Sequence, residues 1–339
     1  MWTVKKIREL FEMDVHELGR IANSMNDNKV MFVINRHINY TNVCVSKCPL
    51  CAFWKDNGYL MSKEELLQKV DEAVQRGATE LHIVGSHNPE VTVEYFEDIF
   101  SEIKRKYPNV VIKALTATEI HFLAKKEKCN VREILSRLKD AGLQMLPGGG
   151  AEILCNDIRR VICPNKAKAE EWLSVMKIAH EMGLKSNATI LFGHIEDYRH
   201  RAIHLYKLWK LQEKTKGFVS LIPLVFHPEN TQLKRWGLVK EKTNPIDILK
   251  TIAVARIVLS NFKSIRAYWV GLGEKLAQVA LNYGANDVDG TIMEEKVTHS
   301  AGANSPTYMT VDRIIKLIKG AGKIPVQRDS FCNVMRVFN

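Results

Sequence analysis

Short apolar runs rich in β-branched residues alternate along the chain with longer stretches whose apolar residues recur every three or four positions. The first pattern predicts buried strands, and the second predicts amphipathic helices. The predicted strands are 30–33, 80–84, 110–115, 144–146, 186–192, 218–226, 265–270 and a weaker run at 287–292. The clearest predicted helices are 63–76, 93–106, 131–141, 169–182 and 246–259.

Local start and stop signals agree with this division. Ser62 precedes a predicted helix and Glu65 follows three residues later, which is the pattern of a capping box. Gly77, Gly142 and Gly183 stand where a helix ends before the next strand. Strands that alternate with helices predict parallel βα units, and a (β/α)8 TIM-type barrel is the simplest closure of eight such units. An open doubly wound sheet is the alternative, but no G-x-G-x-x-G follows the first strand.

No Pro- or Ser-rich linker interrupts this pattern. We therefore expect residues 1–339 to form one α/β barrel domain with an extra N-terminal helix. The first 20 residues mix charged and apolar side chains and lack the apolar region of a signal peptide. No later segment offers the charge-free run of about 20 residues that a membrane span needs. A cytoplasmic protein with no membrane partner is the expectation.

The formal net charge of +11 has two interpretations, a nucleic-acid partner or a basic surface around a pocket for small anions. Basic residues are spread over predicted helices and loops, and no basic run is interleaved with aromatic residues. A nucleic-acid-binding face usually has such a run. The pattern favours a solvated basic surface and predicts no nucleic-acid partner.

Three of the seven cysteines lie within eight residues, in the stretch NYTNVCVSKCPLCAFWK (39–55) after the first predicted strand. Cys44, Cys48 and Cys51 are separated by three and then two residues. Three thiolates in one loop can hold three irons of a 4Fe–4S cluster and leave the fourth iron open to an outside ligand. A structural zinc site with His37 as fourth ligand is the alternative, but such sites usually use paired knuckles. An odd cysteine count without a secretory signal indicates a reducing compartment.

This motif, with Leu50 directly before the last cysteine, resembles the radical S-adenosylmethionine superfamily. The resemblance implies a 4Fe–4S cluster on Cys44, Cys48 and Cys51, with S-adenosylmethionine at the open iron. It also implies an external electron donor of the flavodoxin or ferredoxin type. In that superfamily the residue at the place of Leu50 lies against the adenine, although ordinary loop packing is the alternative.

Longer segments resemble the radical enzymes of the futalosine route to menaquinone, which have relatives in deazaflavin assembly. The matching segments are NYTN (39–42), HIVG (82–85), KALTATEI (113–120), LPGGGAEI (146–153), ATILFGHIE (188–196), PLVFHPENT (223–231), DGTIMEEKVTHSAGA (289–303) and PVQRD (325–329). They span nearly the whole chain and match the aminofutalosine synthase family best.

That resemblance implies a transferase that adds the 5′-deoxyadenosyl radical to the enol-ether double bond of 3-(1-carboxyvinyloxy)benzoate, forming aminofutalosine. S-Adenosylmethionine is then consumed as a substrate, and the partner is a small-molecule carboxylate. The physical requirement is a dry, closed barrel top that holds the alkene in place. The alternatives are the cyclic dehypoxanthinyl futalosine synthase, an RNA-modifying radical enzyme suggested by the charge, and a non-catalytic zinc- or cluster-binding protein.

One segment departs from the family pattern. The family usually has two glycines and then His-Pro after the second strand, where the methionine amino group is held. Here the order is Gly85, Ser86, His87, Asn88 and Pro89. Gly85 and Ser86 are therefore expected at the cofactor, and the side chain of Ser86 is expected to intrude on a place that is normally bare.

Further cofactor contacts are expected from glycine-rich turns. Gly149 lies in a run of three glycines, and Glu152 can accept hydrogen bonds from ribose hydroxyls, unless it only occupies a helix N-terminus. Gly193 and Glu196 match the adenine-contacting segment of the superfamily, although Glu196 can equally stabilise the next helix. Arg160 is expected to hold a carboxylate.

The remaining candidates are basic or catalytic. Arg159 and Lys166 are the other basic residues beyond the glycine run, and an arginine there can hold a carboxylate with two hydrogen bonds. His227 follows the sixth strand and Glu119 the third, at positions where barrel enzymes carry catalytic residues. We expect His227 to hydrogen-bond the substrate or transfer a proton, with a satisfied structural histidine as the alternative. Glu119 is expected as a second catalytic residue, with a solvated or helix-capping residue as the alternative.

Overall fold

The computed structural model describes all 339 residues. The strands are β1 (Lys29–Val33), β2 (Asn35–Asn39), β3 (Glu80–Val84), β4 (Val111–Ala114), β5 (Met145–Leu146), β6 (Lys185–Phe192), β7 (Phe218–Val225), β8 (Ser264–Ile265), β9 (Asp287–Gly290), β10 (Ile324–Arg328) and β11 (Val334–Val337). Strands β2 to β8 form a parallel sheet in sequence order, and a second sheet has the order β11-β10-β1-β9.

The helices are α1 (Val4–Glu12), α2 (Val15–Ser24), α3 (Lys63–Gln75), α4 (Val93–Lys106), α5 (Ala117–Lys126), α6 (Val131–Asp140), α7 (Asn156–Ile162), α8 (Ala169–Glu181), α9 (Tyr198–Thr215), α10 (Gln232–Arg235), α11 (Pro245–Val258), α12 (Trp269–Leu272), α13 (Glu274–Ala280), α14 (Val297–Ser300) and α15 (Val311–Gly320). The predicted capping box at Ser62 is present, with Glu65 bonded back to it. None of these helices combines the length and the apolar character that crossing a lipid bilayer requires.

Strand β9 links the two edges of the seven-stranded sheet. Ala267, just beyond β8, donates its N–H to the Asp287 carbonyl at 2.7 Å. On the other side, His37 of β2 donates to the carbonyl of Ile292 at 2.8 Å. The sheet therefore closes through β9 into the predicted (β/α)8 TIM-type barrel, whose strands are β2 to β9. One continuous cluster of 89 buried apolar residues packs around it.

Several boundaries differ from the prediction. The run 30–33 is β1, which lies in the smaller sheet, and the first barrel strand is the polar segment β2. The run 265–270 is a strand only at Ser264–Ile265, because helix α12 begins at Trp269. Two helices, α1 and α2, precede the barrel instead of one, and β10 and β11 were not predicted.

The interior of this barrel is polar. Barrels of this type are usually filled by layers of Val, Ile and Leu. Here three buried ion pairs occupy the interior, namely Lys113–Glu80, Arg266–Asp289 at 3.2 Å and Arg328–Asp287 at 2.6 Å. A buried charge is tolerated only with a partner, and the three cations match the three carboxylates. Arg328 belongs to β10, so the smaller sheet supplies one of the charges.

Parallel strands place all their carboxyl ends at one rim of the barrel. The loops after β2 to β7 meet there. These loops carry the cysteine motif, Gly85, Glu119, the glycine run, Gly193 and His227, so the fold gathers most of the predicted site at one rim.

Candidate active site

A cavity of about 300 Å³ opens at this rim and extends down into the barrel. It brings together eleven of the fifteen candidate residues named from the sequence: Cys44, Cys48, Leu50, Cys51, Gly85, Ser86, Glu119, Gly149, Glu152, Lys166 and His227. Arg159, Arg160, Gly193 and Glu196 do not line it. The cavity is the candidate active site.

The cysteine loop follows β2 and is tied down along its length. Cys51 N–H donates to the Cys48 carbonyl at 2.9 Å, and Leu50 N–H donates to the carbonyl of Ile162 in α7 at 3.2 Å. The three cysteines form no disulfide. Burial raises the pKa of the Cys48 and Cys51 thiols, while the positive charge of Lys166 works against the rise. Metal binding by these residues therefore releases protons.

The donor set fits a cluster better than a single ion. No three His, Cys, Asp or Glu side chains converge on one point that could hold one metal ion. In a cubane cluster each cysteine binds a different iron, so three cysteines on one loop need not converge. His37, the suggested fourth zinc ligand, instead stacks on His82 with ring centres 4.3 Å apart. The arrangement gives the zinc interpretation no support.

Gly85 and Ser86 end β3 beside the cysteine loop. A Cβ at Gly85 would lie 2.6 Å from the ring of Tyr40, so only glycine fits there. The hydroxyl of Ser86 donates to the carbonyl of Val43, next to Cys44. The side chain of Ser86 thus turns toward the cysteine loop and anchors it. The expected intrusion of this side chain on the ligand space is replaced by a contact that holds the loop.

Glu119 is buried and all its hydrogen bonds go to the protein. It caps α5 with Thr116, accepting from the Thr116 N–H at 2.8 Å and the Thr116 hydroxyl at 2.7 Å. Its other oxygen accepts from the Tyr40 hydroxyl at 2.8 Å and from Gly85 N–H at 3.0 Å. Burial raises the pKa of Glu119, and these hydrogen bonds oppose the rise. Glu119 joins the ends of three strands, which makes it a positioning residue for Gly85.

The glycine run forms part of the cavity wall with Glu152 and Lys166. A Cβ at Gly148 would lie 2.4 Å from the backbone of Ala188, so the turn packs directly on β6. Lys166 Nζ lies 2.8 Å from Glu152 Oε1. Burial alone would raise the pKa of Glu152, but the charge and hydrogen bond of Lys166 lower it below its ordinary value. Of the three basic residues that were predicted beyond the glycine run, Lys166 is the one that lines the cavity.

The two arginines of α7 have different surroundings. Arg159 is buried and donates to the carbonyls of Gly150, Ala151 and Ala167, so it holds the glycine loop together. Arg160 follows it, and one residue of helix turns the side chain by about 100°. Arg160 is exposed to solvent and lies outside the cavity. The position of Arg160 therefore gives no support to the expectation that it holds a carboxylate in the site, which stays a prediction.

Gly193 and Glu196 also lie outside the cavity. Glu196 accepts from Gly193 N–H at 2.7 Å and His194 N–H at 2.9 Å, and it pairs with Arg201 at 2.8 Å. Arg201 in turn contacts Asp247 of α11 at 2.7 Å. These contacts agree with the alternative in which the carboxylate stabilises the turn that leads into α9, and a cofactor contact of Glu196 stays a prediction.

His227 lies beyond β7 and lines the cavity. Its Nε2 lies 3.0 Å from the Gly271 carbonyl, which also accepts from Lys242 Nζ at 2.7 Å. Burial and the nearby charge of Lys242 lower the pKa of His227. The imidazole is neutral at neutral pH, with Nε2 as its donor.

The lower part of the cavity is lined by residues that the sequence analysis did not select. They are His37, His82, Asn187, Arg266 and Asp289. The available signal was a polar residue at every second position, at Asn35, His37 and Asn39, since every second residue of a strand faces the same side, but the polar Arg36 masks the alternation.

A second recess of about 540 Å³ opens on the outer surface. Cys51 lines both this recess and the main cavity. Lys55 and Arg235 line the recess, and neither forms an ion pair within the protein. Helix α10 sits beside it, because Gln232 N–H donates to the Pro49 carbonyl at 3.0 Å.

Family models match most of the chain. The model described as the radical SAM superfamily matches residues 38–206. The model described as the CofH/MqnC C-terminal region matches residues 215–337.

Two curated relatives are equally similar to this chain. The aminodeoxyfutalosine synthase of Thermus thermophilus is 40% identical over 96% of this chain and 90% of its own length. The 5-amino-6-(D-ribitylamino)uracil–L-tyrosine 4-hydroxyphenyl transferase of Archaeoglobus fulgidus is 40% identical over 94% of each chain.

Solved structures agree with the fold. Methylornithine synthase superposes with a TM-score of 0.76 at 17% identity, covering 95% of this chain and 94% of its own. The hydrogenase maturase HydG superposes with a TM-score of 0.72 at 16% identity, covering 97% of this chain and 75% of its own.

Proposed function

This chain belongs to the radical SAM superfamily, in the group that contains the aminodeoxyfutalosine synthases and the tyrosine 4-hydroxyphenyl transferases, and from that premise we propose its reaction. It is a radical SAM enzyme that uses a 4Fe–4S cluster and S-adenosylmethionine. The proposed reaction is radical addition to 3-(1-carboxyvinyloxy)benzoate, giving aminofutalosine for menaquinone biosynthesis. The 40% identity to the Thermus synthase over 96% of the chain is the observation that supports it most.

We assign the cluster to Cys44, Cys48 and Cys51. When bound, the cluster and S-adenosylmethionine supply the 5′-deoxyadenosyl radical that adds to the alkene. Gly85 and Ser86 present the backbone for the methionine end, and Glu119 fixes their position through the Gly85 N–H.

The adenosine end is assigned to the opposite wall. Gly149 lets the ligand approach the backbone closely, Glu152 accepts from ribose hydroxyls, and Leu50 packs against the base. Lys166, held by Glu152, supplies positive charge for a carboxylate. His227 donates a hydrogen bond to the substrate or transfers a proton once its contact with the Gly271 carbonyl is exchanged.

The reaction also needs an electron from outside the chain. We propose an external carrier of the flavodoxin or ferredoxin type that docks over the outer recess. The recess reaches Cys51, and its unpaired cations Lys55 and Arg235 suit an acidic partner. An oxygen-sensitive cluster on free thiols suits the reducing cytoplasm, which we propose as the location.

A second candidate function follows from the Archaeoglobus relative, which matches this chain at the same 40% identity. In that case the substrates are L-tyrosine and 5-amino-6-(D-ribitylamino)uracil. The aromatic group is then a 4-hydroxyphenyl ring in place of a benzoate.

An anaerobic incubation with reductant and S-adenosylmethionine separates the candidates. The reconstituted protein receives either the carboxyvinyloxybenzoate or the tyrosine and uracil pair, and mass spectrometry identifies the products. We expect a product that contains both adenosine and benzoate, lost in Cys48→Ala and retained in the matched control Cys129→Ala outside the cavity. A product from the second mixture alone favours the second candidate. If only 5′-deoxyadenosine and methionine form, both substrate assignments are overturned.

A further inference from the structure

Two histidines stand side by side on the barrel strands below the rim. The register of β2 and β3 pairs His37 with His82, and their rings stack with centres 4.3 Å apart and an angle of 21° between planes. Both line the cavity. Neither ring makes a hydrogen bond within the protein, and the Nδ1 of His82 is buried without a partner.

Another buried histidine serves for comparison. His180 contacts the hydroxyls of Ser186 and Thr215, each at 2.8 Å. Hydrogen bonding of buried polar groups is the rule in folded proteins. The pair in the cavity departs from this rule at a place where a ligand can enter.

Asn187 of β6 is a further unpaired polar residue in the same cavity. Its side chain is 1% exposed, lines the cavity and makes no hydrogen bond within the protein. The Oδ1 atom is buried without a partner. An unsatisfied buried polar group destabilises the fold, and a ligand that supplies the missing hydrogen bonds removes that penalty. Three side chains from three strands therefore offer unpaired polar groups to the same cavity.

The two cations next to this subsite already have carboxylate partners. Arg266 pairs with Asp289 at 3.2 Å, and Lys113 pairs with Glu80. The charged groups that face His37 are Asp289, Lys113, Glu295 and Glu80, and those that face His82 are Lys113 and Arg266. Burial lowers the pKa of both histidines. Each neutral imidazole offers one donor and one acceptor.

We propose that His37, His82 and Asn187 form the subsite that binds the polar substituent of the substrate's aromatic ring away from the alkene. This substituent is the carboxylate of a benzoate or the hydroxyl of a hydroxyphenyl ring. The inference rests on the proposed function. The cysteine loop and the glycine run occupy the rim, so a substrate whose alkene lies there extends its ring toward these strand residues. In the benzoate the carboxylate accepts from the imidazole and amide N–H groups. Because no cation there is unpaired, one imidazole takes a proton from solvent as the carboxylate binds.

Calorimetry with the full chain tests the subsite without the cluster. The probes are 3-ethoxybenzoate, 4-methylphenol and ethoxybenzene. His82→Phe keeps a stacked ring and removes both nitrogens, Asn187→Leu removes the amide, and His16→Phe is the control outside the cavity. We expect the Kd of 3-ethoxybenzoate to rise about tenfold or more in the first two variants and to stay unchanged in the control. The Kd of ethoxybenzene stays unchanged in all three.

Folding is checked by the unfolding midpoint, which His82→Phe is expected to preserve or raise because it removes unpaired buried nitrogens. Unchanged binding of 3-ethoxybenzoate by folded His82→Phe overturns the proposal. Titrations in two buffers of different ionisation enthalpy measure proton uptake. We expect uptake with 3-ethoxybenzoate, and an affinity that falls as the pH rises.

The outcomes distinguish a benzoate ring from a hydroxyphenyl ring. They also distinguish failure of the subsite proposal from failure of the proposed function. Tighter binding of 4-methylphenol without proton uptake, lost in His82→Phe, supports the subsite and assigns it to a hydroxyphenyl ring. If the wild type makes aminofutalosine while His82→Phe keeps its affinity for 3-ethoxybenzoate, the subsite is wrong and the proposed function stands. If binding depends on His82 and no aminofutalosine forms, the subsite stands and the proposed function is wrong.

Discussion

Lys166 Nζ lies 2.8 Å from Glu152 Oε1 in the wall of the cavity, where the two side chains are only 19% and 10% exposed. Glu152→Gln leaves the ammonium group partly buried without its counter-charge, so we expect the free energy of unfolding to fall by about 3 kcal/mol. The double variant with Lys166→Met should cost less than the sum of the single changes. Urea unfolding measures both. Glu181→Gln, in an exposed pair with Arg132, is the control, and an equal loss there contradicts the prediction.

Glu119 is expected to hold Gly85 in position and not to contact the substrate. Glu119→Gln replaces one acceptor oxygen by an N–H₂ group that faces donors, and we expect a loss of roughly 2–3 kcal/mol in the free energy of unfolding. Tyr40→Phe removes one of the four hydrogen bonds and should cost about 1 kcal/mol. The exposed Glu133→Gln is the control for thermal and urea unfolding. A folded Glu119→Gln of wild-type stability that abolishes turnover would show a direct catalytic role instead.

Glu196 gives a pH-dependent prediction. Burial alone would raise its pKa, but the hydrogen bond from His194 and the charge of Arg201 lower the pKa of Glu196 to about 2, against an ordinary value of 4.5. A depressed carboxyl pKa stabilises the fold above the ordinary value, and this contribution is lost as the pH falls from 4.5 toward 2. Relative to wild type, Glu196→Gln should lose about 2–3 kcal/mol at pH 7 and progressively less below pH 4.5.

The affinity of Glu196→Gln for S-adenosylmethionine tests whether Glu196 contacts the cofactor. Since the carboxylate lies outside the cavity, we expect less than about a threefold change in Kd by equilibrium dialysis with the loaded protein. A large loss of affinity at full stability would restore the cofactor contact suggested by the sequence.

If an electron carrier docks at the outer recess, substitutions there should slow cluster reduction by a protein and not by a small molecule. Lys55→Glu with Arg235→Glu should slow reduction of the loaded cluster by a flavodoxin about tenfold or more at low salt, because electrostatic steering sets the association rate. Reduction by dithionite, a small molecule that needs no docking surface, should change little. Stopped-flow absorbance follows both, with Lys104→Glu as a control far from the recess. Equal slowing with both reductants would point to damage at the cluster and not to docking.

The sequence predicted the barrel because parallel βα units leave a periodic trace. It predicted most of the cavity for a related reason, since residues that follow parallel strands meet at one rim. It missed β2, because hydrophobic periodicity presumes an apolar interior. Asn35, His37 and Asn39 face the inside of this barrel, yet their polarity resembles that of a loop.

The predicted site residues that lie outside the cavity have another cause. Whether a charged side chain faces a ligand or the protein depends on partners that are distant in sequence. Glu196 is occupied by Arg201, which Asp247 orients from another helix. Arg160 and Arg159 are neighbours in the chain, and only the rotation of α7 decides which of them is buried. Motif spacing carries no information on either point.

The ion pairs inside the barrel make the order of synthesis matter. A nascent chain emerging from the ribosome exposes Glu80 and Lys113 early, whereas the guanidinium that neutralises Asp287 arrives only at residue 328. Until β10 is released, collapse cannot complete the interior, because Asp287 has only the more distant Arg266, at 3.8 Å, beside it. The barrel therefore depends for its last internal counter-charge on a strand of the other sheet, which is made after all the barrel strands.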